Sequence, residues 1–448
     1  MSQLQKDTMI ENINLNKPRK DAVVKSSRTG FHYSYVILVV GIFTVLGALG
    51  LARFGYTSIL PAMKTSLLLN NTQGGALATA NLVGYTAFSL IGGFLAARFG
   101  PRLIIGVSMF LTGGTMFLTG LAGGFTALAT ARFLTGISSA GANIPMMGLA
   151  SAWFGPKRRG LATGFLVGGS GLGLFVTGFL VPRVSAMSTQ DGWRFCWYIL
   201  GAIAIVLAFV SYSFLRNNPK EKGLLPLGVE PASTTPDSPA AKQVDSPVVQ
   251  EVKGDIWKNV YASTQMWHLG LVYLLFGFEY IIYGTFFSTA LVADKGFTLA
   301  GAGQLWAITG IIAIFSGILW GALSDVLGRK YAIAIVFALQ AVCNYLIYAA
   351  TGAGNILLVS VILYGLTCFS IPGLVAAACG DYVGAKLAPA ALGMATLFFA
   401  VGQATAPSVA GYIADITSSF NQAFLLAAVV AAVGSLGSLT LRKPKHNF

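Results

Sequence analysis

One recurrence constrains this chain more than any other feature. Apolar runs of twenty residues or more follow one another from Tyr33 to Leu441, parted by short polar or basic segments. About 20 apolar residues is the length that crosses the hydrocarbon core of a bilayer as a helix. That ruler places six spans at Tyr33–Leu60, Gly74–Ala97, Leu103–Ala122, Phe125–Trp153, Gly160–Val181 and Trp193–Leu215. Six more follow at Met266–Val292, Ala300–Leu323, Tyr331–Ala350, Ile356–Cys379, Ala388–Ile413 and Ala423–Leu441. Only 10% of the residues are charged and 55% are hydrophobic, against about 25% charged in soluble domains. The expected fold class is an all-α membrane protein with twelve transmembrane helices in two pseudo-symmetric six-helix bundles.

The stretch "RNNPKEKGLLPLGVEPASTTPDSPAAKQVDSPVVQEVKGD" between the sixth and seventh spans is rich in Pro, Ser and charge and poor in aromatics. It reads as a flexible linker. The expected organisation is a tail over residues 1–32, a six-helix half over 33–216, the linker over 217–264, a second half over 265–441 and a short tail over 442–448. The formal charge of +14 does not signal a nucleic-acid partner, because the basic residues cluster in alternate loops, the positive-inside pattern. One side holds Lys17, Arg19, Arg98, Arg102, Arg158, Arg159, Arg216, Arg329, Lys330 and Arg442; the other holds only Lys64, Arg183, Arg194 and Lys295. The expectation is a multi-pass protein of the cell membrane (in a bacterium, the inner one) with both termini cytoplasmic. The first span follows a polar, basic tail and is too long for the apolar core of a signal peptide, so it is expected to remain in place. Cys196, Cys343, Cys368 and Cys379 all lie in apolar runs without a CxxC or Cys/His cluster. Neither a disulfide framework, a metal site nor a cofactor is expected.

The two halves repeat at an offset of 228 or 229 positions. Gly55 pairs with Gly284, Gly93 with Gly321, Gly100 with Gly328, Gly136 with Gly365, Gly155 with Gly384, Gly164 with Gly393 and Gly173 with Gly402. Parallel repeats of this kind are a transporter architecture, with the solute bound near midplane where the halves meet.

Two loops carry a motif. "GGFLAARFGPR" ends the second span and "GALSDVLGRK" ends the eighth. Both resemble the Gly-x-x-x-Asp-(Arg/Lys)-x-Gly-(Arg/Lys) loop of the major facilitator superfamily, and the resemblance covers Tyr33 to Leu441. It implies a latch at the cytoplasmic ends of the helices, built here from Gly93, Arg98, Gly100 and Arg102 in one half and Gly321, Asp325, Gly328 and Arg329 in the other. The first copy departs from the pattern, since Ala97 stands where the carboxylate belongs, and Val326 replaces a basic residue in the second. "ARFLTGISSAGANIP" resembles the family's fourth-helix Arg-x-x-x-Gly motif at Arg132 and Gly136. The fifth span lacks the Gly-Pro pair usual in the family's drug/proton antiporters. "RNNPKEKGLLPLG" resembles a segment of monocarboxylate and oxalate–formate transporters, and "ARFGYTSILPAM" resembles the first helix of a poorly characterised bacterial branch.

Polar residues inside apolar spans are costly and mark function. Arg132, Thr135, Ser139 and Asn143 fall on one helical face. Glu279 lies about 18 Å into the seventh span at 1.5 Å per residue, where burial favours the neutral acid and suits a proton carrier; Tyr283 shares its face. Arg53 lies about 27 Å along the first span. It binds a solute anion from the cavity between the halves, pairs with Glu279, or anchors in the headgroups. The candidate solute-binding residues are Arg53, Arg132, Asn143, Tyr283 and Tyr364, and Glu279 is the candidate for proton coupling. No phosphate-binding Gly-x-x-x-x-Gly-Lys-(Ser/Thr) loop occurs, so the energy source is expected to be a gradient of protons or another ion, and no enzyme is indicated. The expected function is secondary active transport of a small organic anion by a monomer, through alternating access coupled to protons. A proton-driven exporter of toxic small molecules and a non-transporting ligand sensor are the rival readings.

Overall fold

The computed structural model describes residues 31–188, 190–229, 260–352 and 354–442. Among them, twelve long helices follow one another: α1 Ser34–Leu67, α2 Asn71–Phe99, α3 Pro101–Leu121, α4 Phe125–Trp153, α5 Pro156–Ser185 and α6 Gly192–Phe214. After the linker come α7 Thr264–Asp294, α8 Leu299–Leu327, α9 Arg329–Ala349, α10 Asn355–Gly384, α11 Leu387–Thr417 and α12 Asn421–Leu439. Ten of these are long and apolar enough to cross a membrane, and α2 is an eleventh if its two parts, which meet at 46°, count as one span. The remaining helix is α4, whose 29 residues include Arg132 and a run of hydroxyl side chains.

The repeat is visible in local structure. α2 and α8 are both 29 residues long, and α3 and α9 both 21. Asn70 caps the start of α2 by accepting from the Gln73 amide, and Thr298 caps α8 by accepting from the Gly301 amide. Gly100 and Gly328 turn the chain into the next helix with φ of 88° at both, a conformation open to glycine at little cost. Packing repeats as well: α2 lies on α4 and α3 on α6, as α8 lies on α10 and α9 on α12. The halves meet through α5 with α8, α2 with α11, and α1 with α7.

Some boundaries differ from the sequence expectation. α1 continues through Pro61 to Leu67 instead of ending at Leu60. The Asn70-Asn71-Thr72 tripeptide forms the cap and first turn of α2 instead of a loop. The part of the linker at 217–229 is pinned, not free. Its Leu227 amide donates to the Trp153 carbonyl at 2.9 Å, and the Gly155 amide donates to the Leu227 carbonyl at 3.0 Å. Asn217 accepts from the Arg102 amide at 2.9 Å. These bonds satisfy backbone groups at the α3 start and the α4–α5 turn. The remainder of the linker at 230–259, the tail up to residue 30 and residues 443–448 lie outside the described residues.

The two ends of the bundle differ. At the end away from the basic loops, α5 and α8 touch closely. A methyl on Gly178 would lie 2.5 Å from the Gly303 carbonyl oxygen, and one on Gly171 2.7 Å from the Ile314 nitrogen. Toward the basic end this contact relaxes to 3.1 Å at Gly168 and 3.2 Å at Gly164, and then ends: methyls on Gly160 or Gly321 would meet nothing within 4 Å. The α2–α11 seam behaves alike, with Gly75 against Pro407 and Gly411 against Asn71 at the far end, and open space at Gly93 and Gly393. The halves form a wedge, shut at the far end and parted at the basic end.

Candidate functional site

The apex of the wedge is built around a distortion of α1. Leu46–Phe54 is wound as a π-helix, a local widening that is frequent at functional sites. Small residues permit it: Gly50 lies directly on Gly173 of α5, where a methyl would be 2.6 Å from the Gly173 Cα. Arg53 is the penultimate residue of this stretch, and fourteen more helical residues follow it to Leu67. It therefore sits well inside the helix, because α1 runs further than its apolar pattern suggests. Its guanidinium stacks over the Tyr85 ring of α2 at 4.3 Å. The Tyr85 hydroxyl accepts from Asn143 Nδ2 of α4 at 2.8 Å. Arg53 Nε and Nη2 are buried without a hydrogen-bond partner, as is Asn143 Oδ1. The Tyr280 hydroxyl of α7 neighbours Arg53 across the interface and donates to Gln403 Oε1 of α11 at 3.2 Å.

Arg132 lies behind Arg53. It is 1% exposed, donates from Nη1 to the Ala52 carbonyl at 2.7 Å, and faces the rings of Tyr56 and Trp197 at 4.8 and 5.2 Å. Its Nε has no partner. Both arginines line one small void of about 10 Å³, together with Tyr56, Asn81 and, from α7, Ile281, Gly284 and Thr285. Among the described residues, no carboxylate lines it. Above it, the Thr57 hydroxyl of α1 donates to the Gly284 carbonyl of α7.

The polar stripe expected on α4 is only partly turned outward. Thr135 and Ser139 return their hydroxyls to the carbonyls of Ala131 and Thr135, which leaves Arg132 and Asn143 as its reaching members. Tyr283 and Tyr364 do not line the void, contrary to the sequence expectation. They are 0% and 1% exposed and stack at 3.8 Å. Their hydroxyls are occupied within the second half, Tyr283 by Ser360 at 3.2 Å and Tyr364 by the Tyr280 carbonyl at 2.8 Å. Glu279 is fully buried and points toward α9. There Asn344 Nδ2 donates to Oε2 at 3.3 Å, and the Gln340 amide, with its nitrogen turned to the carboxyl, donates to both oxygens.

At the basic end, Arg329 pairs with Asp325 at 2.6 Å and with Asp381 of α10 at 3.2 Å, and donates to the Ser324 hydroxyl. In the first half Arg102 donates from Nε to the Tyr212 carbonyl at 2.7 Å, and Arg98 lies over Phe99. Asn217 sits against Gly100 and caps α3. Each set stays within its own half while the wedge is open.

Sequence reasoning passed over the residue that closes the far end. Asp415, near the end of α11, accepts from the amides of Asn71 and Thr72, both at 2.8 Å, and from the Thr72 hydroxyl at 2.6 Å. One half thus caps a helix N-terminus of the other with a carboxylate, a favourable charge–dipole contact. The matching position of the first half is Ala186, so the repeat holds no clue to it. Asp415→Asn places an amide against those donors. The expected result is a loss of about 1–2 kcal/mol from this seam, read as a roughly 5- to 30-fold rise in the far-end-open fraction by distances between spin labels on α2 and α11. An unchanged distribution would remove Asp415 from the gate.

Comparison with known proteins places these features in a family. The model of the Major Facilitator Superfamily matches residues 42–343, and that described as Uncharacterised MFS-type transporter YbfB matches residues 251–439. A hexuronate transporter of Bacillus subtilis is 23% identical over 408 residues, covering 88% of this chain and 91% of that protein. The Probable sulfoacetate transporter SauU of Cupriavidus necator is 24% identical, covering 86% and 89%. Among solved structures, a bacterial homologue of the human lysosomal transporter Spinster, in an inward-facing and unoccupied conformation, superposes with a TM-score of 0.71 at 16% identity, covering 92% of this chain and 98% of its own.

Proposed function

The chain belongs to the major facilitator superfamily of secondary transporters, and from that premise we propose that it carries a small organic anion across the membrane by alternating access coupled to protons. The observation that supports the anion is the pair Arg53 and Arg132, which share one void with unpaired donors and no carboxylate. Two guanidinium groups in a membrane interior are costly unless an anion meets them. The void holds about one water's volume, enough for one oxygen of the anionic group. The body of the solute then lies on the basic side of Arg53, where the halves diverge. Its remaining contacts come from Tyr85 and Asn143 on one wall and Tyr280 and Gln403 on the other. The relatives named for hexuronate and sulfoacetate are carriers of organic anions by name, which fits this reading.

With the basic end cytoplasmic, as the loop charges favour, the wedge is the inward-open state. Opening outward requires the Asp415 cap and the Thr57–Gly284 contact to part. The basic ends must then close, with Asp325 and Arg329 of one loop and Arg98 and Arg102 of the other forming the latch. Glu279 is the proton carrier in this scheme. Its partners are neutral amides, so neither protonation state is fixed by an ion pair, and Asn344 Oδ1 lacks a partner, which provides an acceptor for an acid proton.

Proteoliposomes test the reading directly. Preloaded with a hexuronate or sulfoacetate, they are expected to take up the same labelled anion by counterflow, and an inward proton gradient is expected to drive accumulation. Failure of a broad panel of carboxylates and sulfonates to exchange, alongside exchange of neutral sugars, would dispose of the anion proposal.

A further inference from the structure

A groove of about 650 Å³ runs along the α5–α8 seam near the far end. None of its lining residues lines the void at Arg53 and Arg132. The far end is shut between the halves, so side chains exposed at this level face the bilayer. Phe179, Ile308 and Ile311 of the groove are 53%, 37% and 47% exposed. Two polar side chains stand among them. Arg183, two residues before the end of α5, stacks on Phe179 at 3.5 Å and gives Nη1 to the Phe179 carbonyl at 2.6 Å, leaving Nε and Nη2 for another acceptor. Gln304 is exposed about 7.5 Å below the start of α8 and has no hydrogen-bond partner among the described residues. Pro182 packs on Gly303, so the cation and the amide stand at one level, on opposite sides of the seam.

An unpaired amide facing hydrocarbon is unfavourable, and a cation near the membrane surface attracts phosphate. An occupant that answers both needs an anionic group, a polar oxygen beside it at the same level across the seam, and an apolar tail. We infer that the groove holds one phospholipid of the far-side leaflet. Its phosphate meets Arg183, an ester carbonyl oxygen accepts from Gln304, and an acyl chain lies along Phe175, Phe179, Ile308 and Ile311. The groove takes one wall from each half, so this lipid bridges α5 and α8 and favours the closed far end.

Phosphatidylglycerol is the probe. Native mass spectrometry of the full chain is expected to retain one lipid through delipidation, with retention reduced about fivefold in Arg183→Gln and reduced also in Gln304→Leu. A fluorophore on Ile308→Cys is expected to stay quenched by brominated phosphatidylglycerol after dilution into unbrominated lipid, while one on Val342→Cys, exposed on α9, recovers at once. Equal recovery at both positions, retention indifferent to both substitutions, or displacement of the quenching lipid by an apolar molecule without a phosphate would each overturn the assignment.

Discussion

Arg53→Gln is expected to lower kcat/KM for the transported anion by about 100-fold or more while leaving the fold intact. A carboxylate about 4 Å from one guanidinium gains roughly 4 kcal/mol at an effective dielectric near 20. Part of that offsets desolvation, and about 3 kcal/mol net corresponds to roughly 100-fold. Among the described residues nothing compensates the loss, because Arg53 Nε and Nη2 have no acceptor there. The same fact explains why folding tolerates the change. Arg53→Lys keeps the charge but loses the planar stack on Tyr85 and the fork of donors, so a smaller defect, mainly in KM, is expected. Arg132 gives the contrast. Its Nη1 is bound to the Ala52 carbonyl and its face to Tyr56 and Trp197, so Arg132→Gln should lower the melting temperature as well as transport. Equal thermal losses for both arginines with wild-type kinetics in Arg53→Gln would make Arg53 a packing residue and end the anion mechanism.

How far the sequence reached differs between fold and site. Twelve helices were legible because a membrane span declares itself by apolar length alone, and the repeat in part because some paired glycines mark backbone crossings, as Gly136 does against Asn81 and Gly365 against Thr309. The pairing of Arg53 with Arg132 was only half legible. A steady 3.6-residue helix gives no warning of the π-helical turn at Leu46–Phe54 that presents Arg53 to the interface. Tyr283 and Tyr364 lie off the void for a related reason. A polar tip in an apolar helix can be satisfied by the helix next door, and Ser360 and the Tyr280 carbonyl do so here. Tyr280, three residues before Tyr283, faces Arg53 instead, and nothing in the alternation of residues distinguishes the two. Asp415 escaped because its hydrogen-bond partners are the N-terminus of a helix in the other half, and its charge neighbour Lys64 stands on α1, far from it in sequence.

The second large effect concerns Glu279, whose position under the proposed mechanism sets coupling apart from binding. The arginines lie in the first half and line the void, whereas Glu279 lies in the second, fully buried between α7 and α9. A substitution there should spare the affinity for the anion and alter only the link to the proton. Glu279→Gln is nearly isosteric. Its amide oxygen can still accept from Asn344 and Gln340, so α7 keeps its footing on α9 and the protein should fold. The expected result is counterflow within about twofold of wild type, since exchange needs the carrier to turn over loaded and gains nothing from a proton. Accumulation against a gradient should fall by at least about tenfold, because a side chain that cannot titrate does no proton work. Exchange by the variant should also be flat with pH where that of the wild type is not. The route from Glu279 to the site is short, since Tyr280 is its neighbour in sequence and touches Arg53 and Gln403. Under the proposed mechanism a change in the hydrogen bonds of Glu279 to α9 would reach a bound anion through the adjacent Tyr280. Accumulation by Glu279→Gln at the wild-type level would place the coupling ion elsewhere, while loss of counterflow together with accumulation would mean that the α7–α9 contact serves packing alone.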